Sequence, residues 1–183
     1  IDALMQIRYN GPGLITHVTD SPNVYDGHIG IEIRGASSGG YPQRPYGLET
    51  RDAEGQDLEV SLLGMPEEAD WVLLSNFNDR SLVRNTLSHK LFTAMGQYSP
   101  RMQLCEVLLD SVYKGIYIFG EKIKRDKNRV NIANLKPEDV EGDNLTGGYI
   151  LQQNYWDPTT SFQSNYSPID HPEFDVHSVY EFP

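Results

Sequence analysis

The stretch IEIRGASSGGYPQRPYGLETRD, residues 31–52, predicts two paired strands joined by a loop of small residues. Apolar and polar residues alternate through residues 28–34, which is the period-two pattern of a half-buried strand. The extended pattern resumes at residues 46–51, and we expect the two strands to pair. Between them, glycine and serine residues either hold an anion with backbone N–H groups and hydroxyls or simply turn the chain.

Outward from this hairpin, the pattern predicts more strands and one main helix. The helix is expected over residues 81–95, because apolar residues recur there at a spacing of four: Val83, Leu87, Leu91 and Met95. Asp79 or Ser81 is available as its N-cap, and Gly96 follows its end. Residues 102–109 and 116–123 flank a turn at 110–115 and predict a second hairpin. Further strands are expected at residues 5–9, 58–62, 71–74 and 148–155, with irregular structure from residue 156 onward.

Composition limits the classes of partner. Against 26 Asp and Glu, the 183 residues include 15 Lys and Arg, and the resulting charge of −11 argues against nucleic acid and anionic membranes. Cys105 is the single cysteine, so the chain has no disulfide framework and no cysteine-based metal site. No apolar run is long enough to span a membrane, and the sequence shows no leader pattern at its start. We therefore expect a transmembrane segment to be absent and any export signal to be already removed or never present.

Two charged clusters stand apart from this acidic background. Five cations within residues 122–129 either neutralise phosphates or an acidic substrate, or form a solvated face. Metal-capable side chains gather in the aperiodic C-terminal part, but no scaffold is evident for them, so we predict no metal site: Asp170, His171, Glu173, Asp175 and His177.

Five segments, in this order along the chain, resemble the CotH kinase family of spore coat protein H-like proteins: IEIRGASS, YGLETRDAEGQDLEVSLLGMPEEADWVL, DRSLVRNTLSHKL, EVLLDSVYKGIYIFGEKIKRDKNRVNI and GDNLTGGYIL. The resemblance covers about residues 5–151. It implies an α+β fold resembling the N-lobe of an atypical protein kinase, in which a twisted antiparallel sheet with one packed helix holds ATP against a second lobe. We accordingly expect an N-lobe region over residues 1–155, with residues 156–183 leading toward a C-terminal lobe.

The resemblance also implies nucleotide-binding residues. Arg34, Ser37 and Ser38 match the Arg-Gly-x-Ser-Ser motif, and Arg84-Asn85 matches an Arg-Asn pair of the family. Family members usually carry Pro-Lys-Lys-Ser-Tyr where this chain has Pro42-Gln43-Arg44-Pro45-Tyr46, so Arg44 stands where a phosphate-binding lysine is expected. Glu121 falls where a lobe-connecting segment would face adenine. Each residue also has a simpler interpretation: Arg44 as a surface cation, and Glu121 or Glu106 as a strand carboxylate that pairs with a neighbouring base instead of with Arg44.

What the resemblance implies for function is ATP-dependent phosphorylation of exported or surface proteins, with Mg²⁺ or Mn²⁺ as the metal. The aspartate motifs that hold the metal and carry out catalysis in the family do not occur in this sequence, so we expect a fragment or an incomplete kinase, and no catalytic residue is assigned. A different class remains open: a non-catalytic protein- or glycan-binding module at the cell surface. The replaced lysines and the late aromatic residues favour that alternative: Tyr149, Tyr155, Trp156 and Tyr166.

Overall fold

A computed structural model describes residues 1–165 and 176–182. The chain divides into two compact units, Ile1–Lys122 and Ile123–Pro183. The first unit contains residues 31–52, and the second contains the strands that follow residue 149.

A six-stranded antiparallel sheet forms the first unit and curls into a half-barrel. Its spatial order is β1-β2-β3-β4-β6-β5, so each strand up to β4 lies beside its predecessor. The elements are β1 (Asp2–Ile7), β2 (Tyr25–Ile33), β3 (Tyr46–Arg51), β4 (Asp70–Ser75), helix α1 (Arg84–Ala94), β5 (Met102–Leu109) and β6 (Val112–Glu121). The α+β class is therefore confirmed, and the predicted β2–β3 hairpin is present in antiparallel register, with Ile33 opposite Tyr46.

The core lies on one face of this sheet. Register places Leu48 opposite Trp71, and Leu73 opposite Phe119, so that apolar side chains from neighbouring strands meet on the same side. The loop between β3 and β4 covers this face by inserting Leu62 and Met65, both fully buried. The strand expected at residues 58–62 is therefore wrong. Apart from a bridge between Val60 and Glu68, this alternating segment forms a loop, whose apolar residues are buried by insertion into the core.

The β5–β6 hairpin is tighter than the sequence predicted. Its turn consists of Asp110 and Ser111, with φ angles of 50° and 63°, the left-handed pair that a two-residue hairpin turn requires. Strand β6 consequently begins at Val112, whereas the pattern placed a turn as far as residue 115. The register shifts between Val107 and Leu108, so that one residue of β6 has no partner on β5 and forms a bulge.

Helix α1 is shorter than expected and begins three residues later. Val83 occupies the N-cap position of α1, so the expectation of Asp79 or Ser81 at that position is wrong. The Asp79 carboxylate nevertheless accepts hydrogen bonds from the backbone N–H groups of Ser81 and Arg84, at 3.0 and 2.8 Å, and so holds the start of the helix. Gly96, with a φ of 79°, ends it in the left-handed conformation. The expected packing against the sheet is wrong, because α1, which is described in full, buries none of its residues and lies beside the edge strand β5.

A three-stranded antiparallel sheet forms the second unit. Its strands are β7 (Ile150–Gln152), β8 (Ser161–Gln163) and β9 (His177–Phe182), in the order β7-β9-β8, and a short helix α2 (Asp143–Thr146) precedes them. Two of these strands lie where the pattern predicted irregular structure, and the central β9 buries Val179. The lobe boundary expected at residue 155 stays a prediction. No helix of the described residues has the length and apolar character needed to cross a membrane.

Candidate functional site

An open cleft of about 370 Å³ lies where the β2–β3 loop meets the segment that follows β4. This volume falls in the range typical of small-molecule sites. Three parts of the chain form its walls: the loop after β2, the end of β4 with the residues that follow, and the first turn of α1. The lining residues are Arg34, Gly35, Ser38, Tyr41, Pro45, Leu74, Ser75, Phe77, Asn78 and Asn85.

The loop wall has a backbone that requires glycine. Gly35 has a φ of 81°, and a Cβ added there would lie 2.1 Å from the hydroxyl of Ser38. The backbone N–H of Arg34 donates to the carbonyl of Pro45 at 3.1 Å, which closes the hairpin below the loop. A single 3₁₀ turn at Ser38–Gly40 follows, with Ser37 at its N-terminal boundary. The loop thus brings the Ser38 side chain over Gly35, at the surface of the cleft.

Two aromatic rings form another part of the lining. Tyr41 and Phe77 stack with ring centroids 5.2 Å apart and an interplanar angle of 28°. Asn78 Nδ2 donates a hydrogen bond to the Tyr41 hydroxyl at 2.8 Å, which fixes the tyrosine ring. Beside them, Asn85 stands in the first turn of α1, whose start Asp79 holds. This wall therefore combines an apolar surface with two amide side chains.

Gln43 ties the cleft to the sheet. Its Nε2 donates to the carbonyls of Lys114 at 3.3 Å and Ile116 at 3.0 Å. Its Oε1 accepts from the Ser75 hydroxyl at 3.3 Å and from the backbone N–H of Asn76 at 3.1 Å. All four bonds join residues far apart in sequence, so the amide links the start of β3 to β4 and β6. Sequence reasoning missed this role, although the two residues of the Gln43-Arg44 pair must point in opposite directions in an extended chain.

The structure brings together two of the five predicted nucleotide-binding residues. Arg34 and Ser38 both line the cleft, whereas Ser37 is exposed beside it. Arg44 is exposed and does not line the cleft. Glu121 lies outside the lining as well. The roles of these five residues in binding stay predictions.

Glu121 and Glu106 have partners other than Arg44. The Glu121 carboxylate is buried and accepts hydrogen bonds from the guanidinium of Arg101 at 2.5 Å and from its backbone N–H at 2.9 Å. Glu106 accepts a hydrogen bond from the Tyr113 hydroxyl at 2.8 Å. The simpler interpretation, a strand carboxylate that pairs with a neighbouring base, describes Glu121. The partner of Glu106 is a tyrosine hydroxyl and not a base.

The basic run of residues 122–129 is engaged in local contacts. Lys122 pairs with Asp70 at 3.1 Å, the Arg125 guanidinium lies 5.1 Å from the centroid of the Phe182 ring, and Arg129 is buried. A simple solvated face does not describe these side chains.

Most of the metal-capable cluster, Asp170, His171, Glu173 and Asp175, lies outside the described residues. His177, on β9, has its Nε2 at 2.6 Å from the carbonyl oxygen of Asn154. Within residues 1–165 and 176–182, no group of three or more potential ligands could hold a metal ion.

The donors of the cleft fit phosphate oxygens better than they fit a metal ion. A guanidinium, three hydroxyls and two amides line it, and hydrogen bonds from such groups, charge-assisted in the case of the guanidinium, suit an anion. Among the described lining residues there is no carboxylate, which is the ligand that Mg²⁺ and Mn²⁺ prefer. The cleft therefore fits the phosphates of a nucleotide and does not by itself fit the metal.

An antiparallel α+β domain with a phosphate-compatible cleft is the class that the fold and the site define. The family model described as CotH kinase protein matches residues 31–181, so the chain belongs to this family and has a kinase-related role. This match confirms the resemblance seen in the sequence, and it begins at the first residue of the stretch quoted there. No curated protein matches the chain.

Proposed function

We propose that this chain binds ATP in the cleft, as part of a protein kinase that phosphorylates exported or cell-surface proteins. One observation carries the proposal. Two stretches that resemble family motifs, residues 34–38 and 84–85, lie about 50 residues apart in sequence, yet Arg34, Ser38 and Asn85 line the same cleft. A phosphate-binding function explains why a cation, a hydroxyl and an amide converge there.

The proposed binding mode assigns different walls to different parts of the nucleotide. Arg34 and Ser38 contact the phosphates, because a guanidinium and a hydroxyl supply hydrogen bonds to phosphate oxygens. Asn85 contacts the phosphates as well, because it lies in the first turn of α1, where the helix dipole favours negative charge. The stacked Tyr41 and Phe77 offer an apolar surface for the base. Family membership supports the use of a nucleotide and a metal in general. Mg²⁺ or Mn²⁺ as that metal, and an exported or cell-surface substrate, are part of the proposal itself.

Calorimetric titration of the chain with ATP and MgCl₂ tests this proposal. We expect Arg34→Gln to weaken ATP binding about tenfold, because it removes the cation of the cleft. Arg44→Gln is the matched control, being an arginine of the same loop that does not line the cleft, and we expect it to change binding less than twofold. A loss in Arg44→Gln as large as that in Arg34→Gln would instead agree with the sequence-based prediction that Arg44 binds phosphate. That result would return the phosphate site to Arg44, and the absence of binding at millimolar ATP would contradict the proposal.

Phosphotransfer needs a separate measurement, because binding alone does not establish a kinase. The protein for this measurement contains this chain together with a C-terminal lobe of the family. We expect incubation with γ-labelled ATP and either Mg²⁺ or Mn²⁺ to label the protein itself or an exported substrate. Arg34→Gln should reduce the labelling in proportion to its effect on binding. ATP binding without any labelling would retain the nucleotide site and contradict the kinase activity.

A non-catalytic surface module is the second candidate, and exposed aromatic residues favour it. Tyr155 and Trp156 leave 71% and 54% of their surface exposed, whereas the other tryptophan, Trp71, is buried. Exposed aromatic rings commonly serve as binding anchors. Saturable quenching of tryptophan fluorescence by a soluble polysaccharide, lost in Trp156→Ala, with no binding of ATP, would support this function over a kinase.

A further inference from the structure

Helix α1 leaves an unusual amount of apolar surface uncovered. Leu87, Leu91 and Met95 are 53%, 57% and 72% exposed, and Val83 precedes them in the same row. These four residues follow one another at a spacing of four, so they share one side of the helix. We call this row, with Arg84 and Lys90 beside it, the α1 strip. Contiguous apolar surface of this kind marks interaction sites in soluble proteins.

The α1 strip belongs to a basic stretch of an acidic chain. Residues 80–105 contain four basic residues and no Asp or Glu, although the whole chain carries a net charge of −11. Two of the four are already engaged: Arg101 pairs with Glu121, and Arg84 lies 3.5 Å from Asp79. Lys90 is exposed, and no ion pair within the described residues involves it. Lys90 is therefore the cation of the strip that is available to a partner.

We propose that the α1 strip binds an acidic polypeptide segment that also carries apolar side chains. The carboxylates of the segment pair with Lys90 and the outer side of Arg84, while its apolar side chains cover Leu87, Leu91 and Met95. The strip lies outside the lining of the cleft, and the proposal does not depend on nucleotide binding.

Charge favours an acidic polypeptide over two other partners, a second copy of the chain and an anionic membrane. Pairing of the strip with the same strip of a second copy would place Lys90 and Arg84 against their own equivalents, which is electrostatically unfavourable. An anionic membrane would attract the strip but repel the remainder of a chain whose net charge is −11. An acidic polypeptide segment contacts the strip alone, and screening by salt weakens its repulsion by charges of the chain that lie more than about 10 Å away.

A labelled random copolymer of glutamate and tyrosine is the probe, because it combines carboxylates with apolar rings. We expect its fluorescence anisotropy to rise on addition of the chain at low salt, and polyglutamate to bind more weakly. Leu91→Ser and Lys90→Glu should each weaken binding about tenfold. The matched controls are Leu4→Ser, at another exposed leucine, on β1, and Lys127→Glu in the basic run of residues 122–129, and both should bind like the unmodified chain.

Each other outcome would overturn the proposal. No binding of the copolymer at low salt excludes the acidic partner, and an equal loss in Lys127→Glu assigns binding to the basic run instead. Binding of phosphatidylserine vesicles that Leu91→Ser abolishes would make the strip a lipid-binding surface, and concentration-dependent dimers lost in Leu91→Ser would make it a contact between copies. ATP titration of Leu91→Ser, which should match the unmodified chain, keeps this test separate from that of the nucleotide site.

Discussion

The buried carboxylate of Glu121 receives two hydrogen bonds from a single residue, Arg101. The guanidinium donates to one carboxylate oxygen at 2.5 Å, and the backbone N–H donates to the other at 2.9 Å. The Glu121 side chain is completely buried, whereas about half of the Arg101 side chain is exposed. The Arg101 side chain therefore lies between the buried Glu121 carboxylate, at the end of β6, and the solvent. This contact accounts for an acid at the end of the buried half of β6.

Loss of the Arg101 guanidinium should destabilise the fold. Arg101→Met removes the charged donor and leaves a carboxylate buried with fewer partners, and we expect the free energy of unfolding to fall by about 1–3 kcal/mol. Lys122→Met is the matched control, because Lys122 and Asp70 form a partly exposed pair whose loss should cost less than about 1 kcal/mol. Urea denaturation measures both, and equal effects would contradict a special role for the buried carboxylate.

Replacement of Gln43 should be more damaging than replacement of Arg44. Gln43→Ala breaks four hydrogen bonds to two segments, β6 and the end of β4 with the residue that follows it, which should lower the free energy of unfolding by about 2–3 kcal/mol. Arg44→Ala, at an exposed neighbouring position, should stay within about 0.5 kcal/mol.

Gln43→Lys refines the same experiment. A lysine can donate to the carbonyls of Lys114 and Ile116 but cannot accept from Ser75 and Asn76. We expect a loss of stability between those of Arg44→Ala and Gln43→Ala in the same urea denaturation. A loss as large as that of Gln43→Ala would show that the acceptor half of the amide supplies the stability.

The loop of the cleft should tolerate alanine at Gly40 but not at Gly35. Gly35 has a φ of 81° and would place its Cβ 2.1 Å from the Ser38 hydroxyl, whereas a Cβ at Gly40 meets no described atom within 4 Å. Gly35→Ala should cost about 1–2 kcal/mol for the left-handed backbone and displace Ser38 from the cleft. Thermal unfolding and ATP titration should both change in Gly35→Ala and remain nearly unchanged in Gly40→Ala.

The start of α1 should loosen at acidic pH. A hydrogen bond from the Ser81 side chain, together with the backbone N–H groups of Arg84 and Ser81, lowers the pKa of Asp79 below its ordinary 3.8. A lowered pKa in the folded state means that this stabilisation is present above the unfolded pKa and is lost as the pH falls through the folded one. The Arg84 amide resonance should titrate with a midpoint below 3.8, and Asp79→Asn should abolish that titration. A midpoint above 3.8 would contradict the stabilisation of the helix start by the Asp79 carboxylate.

Cys105 should react slowly until the chain unfolds. Burial raises the pKa of its thiol from 9.0 to about 11, so the nucleophilic thiolate is scarce near neutral pH. Modification by a thiol reagent at about pH 8 should follow the fraction of unfolded chain as urea is added. Because the folded pKa is raised, the unfolded chain releases its proton first, and the stability contributed by the neutral thiol is lost as the pH rises from 9.0 toward 11. Cys105→Ala should remove that part of the alkaline loss.

Local pattern was sufficient for most strands of the first unit. Strand β3 was predicted to the residue, because alternation is read within one strand and needs no knowledge of its partners. The β5–β6 hairpin was also found, although its turn is shorter than predicted. The family motifs around Arg34 and Ser38 identified one wall of the cleft in advance, since a small-residue loop between paired strands is a local feature.

The tertiary structure decided which of the apolar residues in these patterns are buried, and which residues they contact. Residues 58–62 alternate like a strand, but Leu62 reaches the core from a loop, and the apolar row of α1 remains exposed although its spacing predicted packing. The directions of Gln43 and Arg44 likewise depend on how the loop meets β4 and β6. Sequence by itself determined the periodicity, the hairpin and the family, because these depend on neighbours along the chain. Burial, partners and the convergence of Arg34 with Asn85 depend on residues distant in sequence, which only the folded chain brings together.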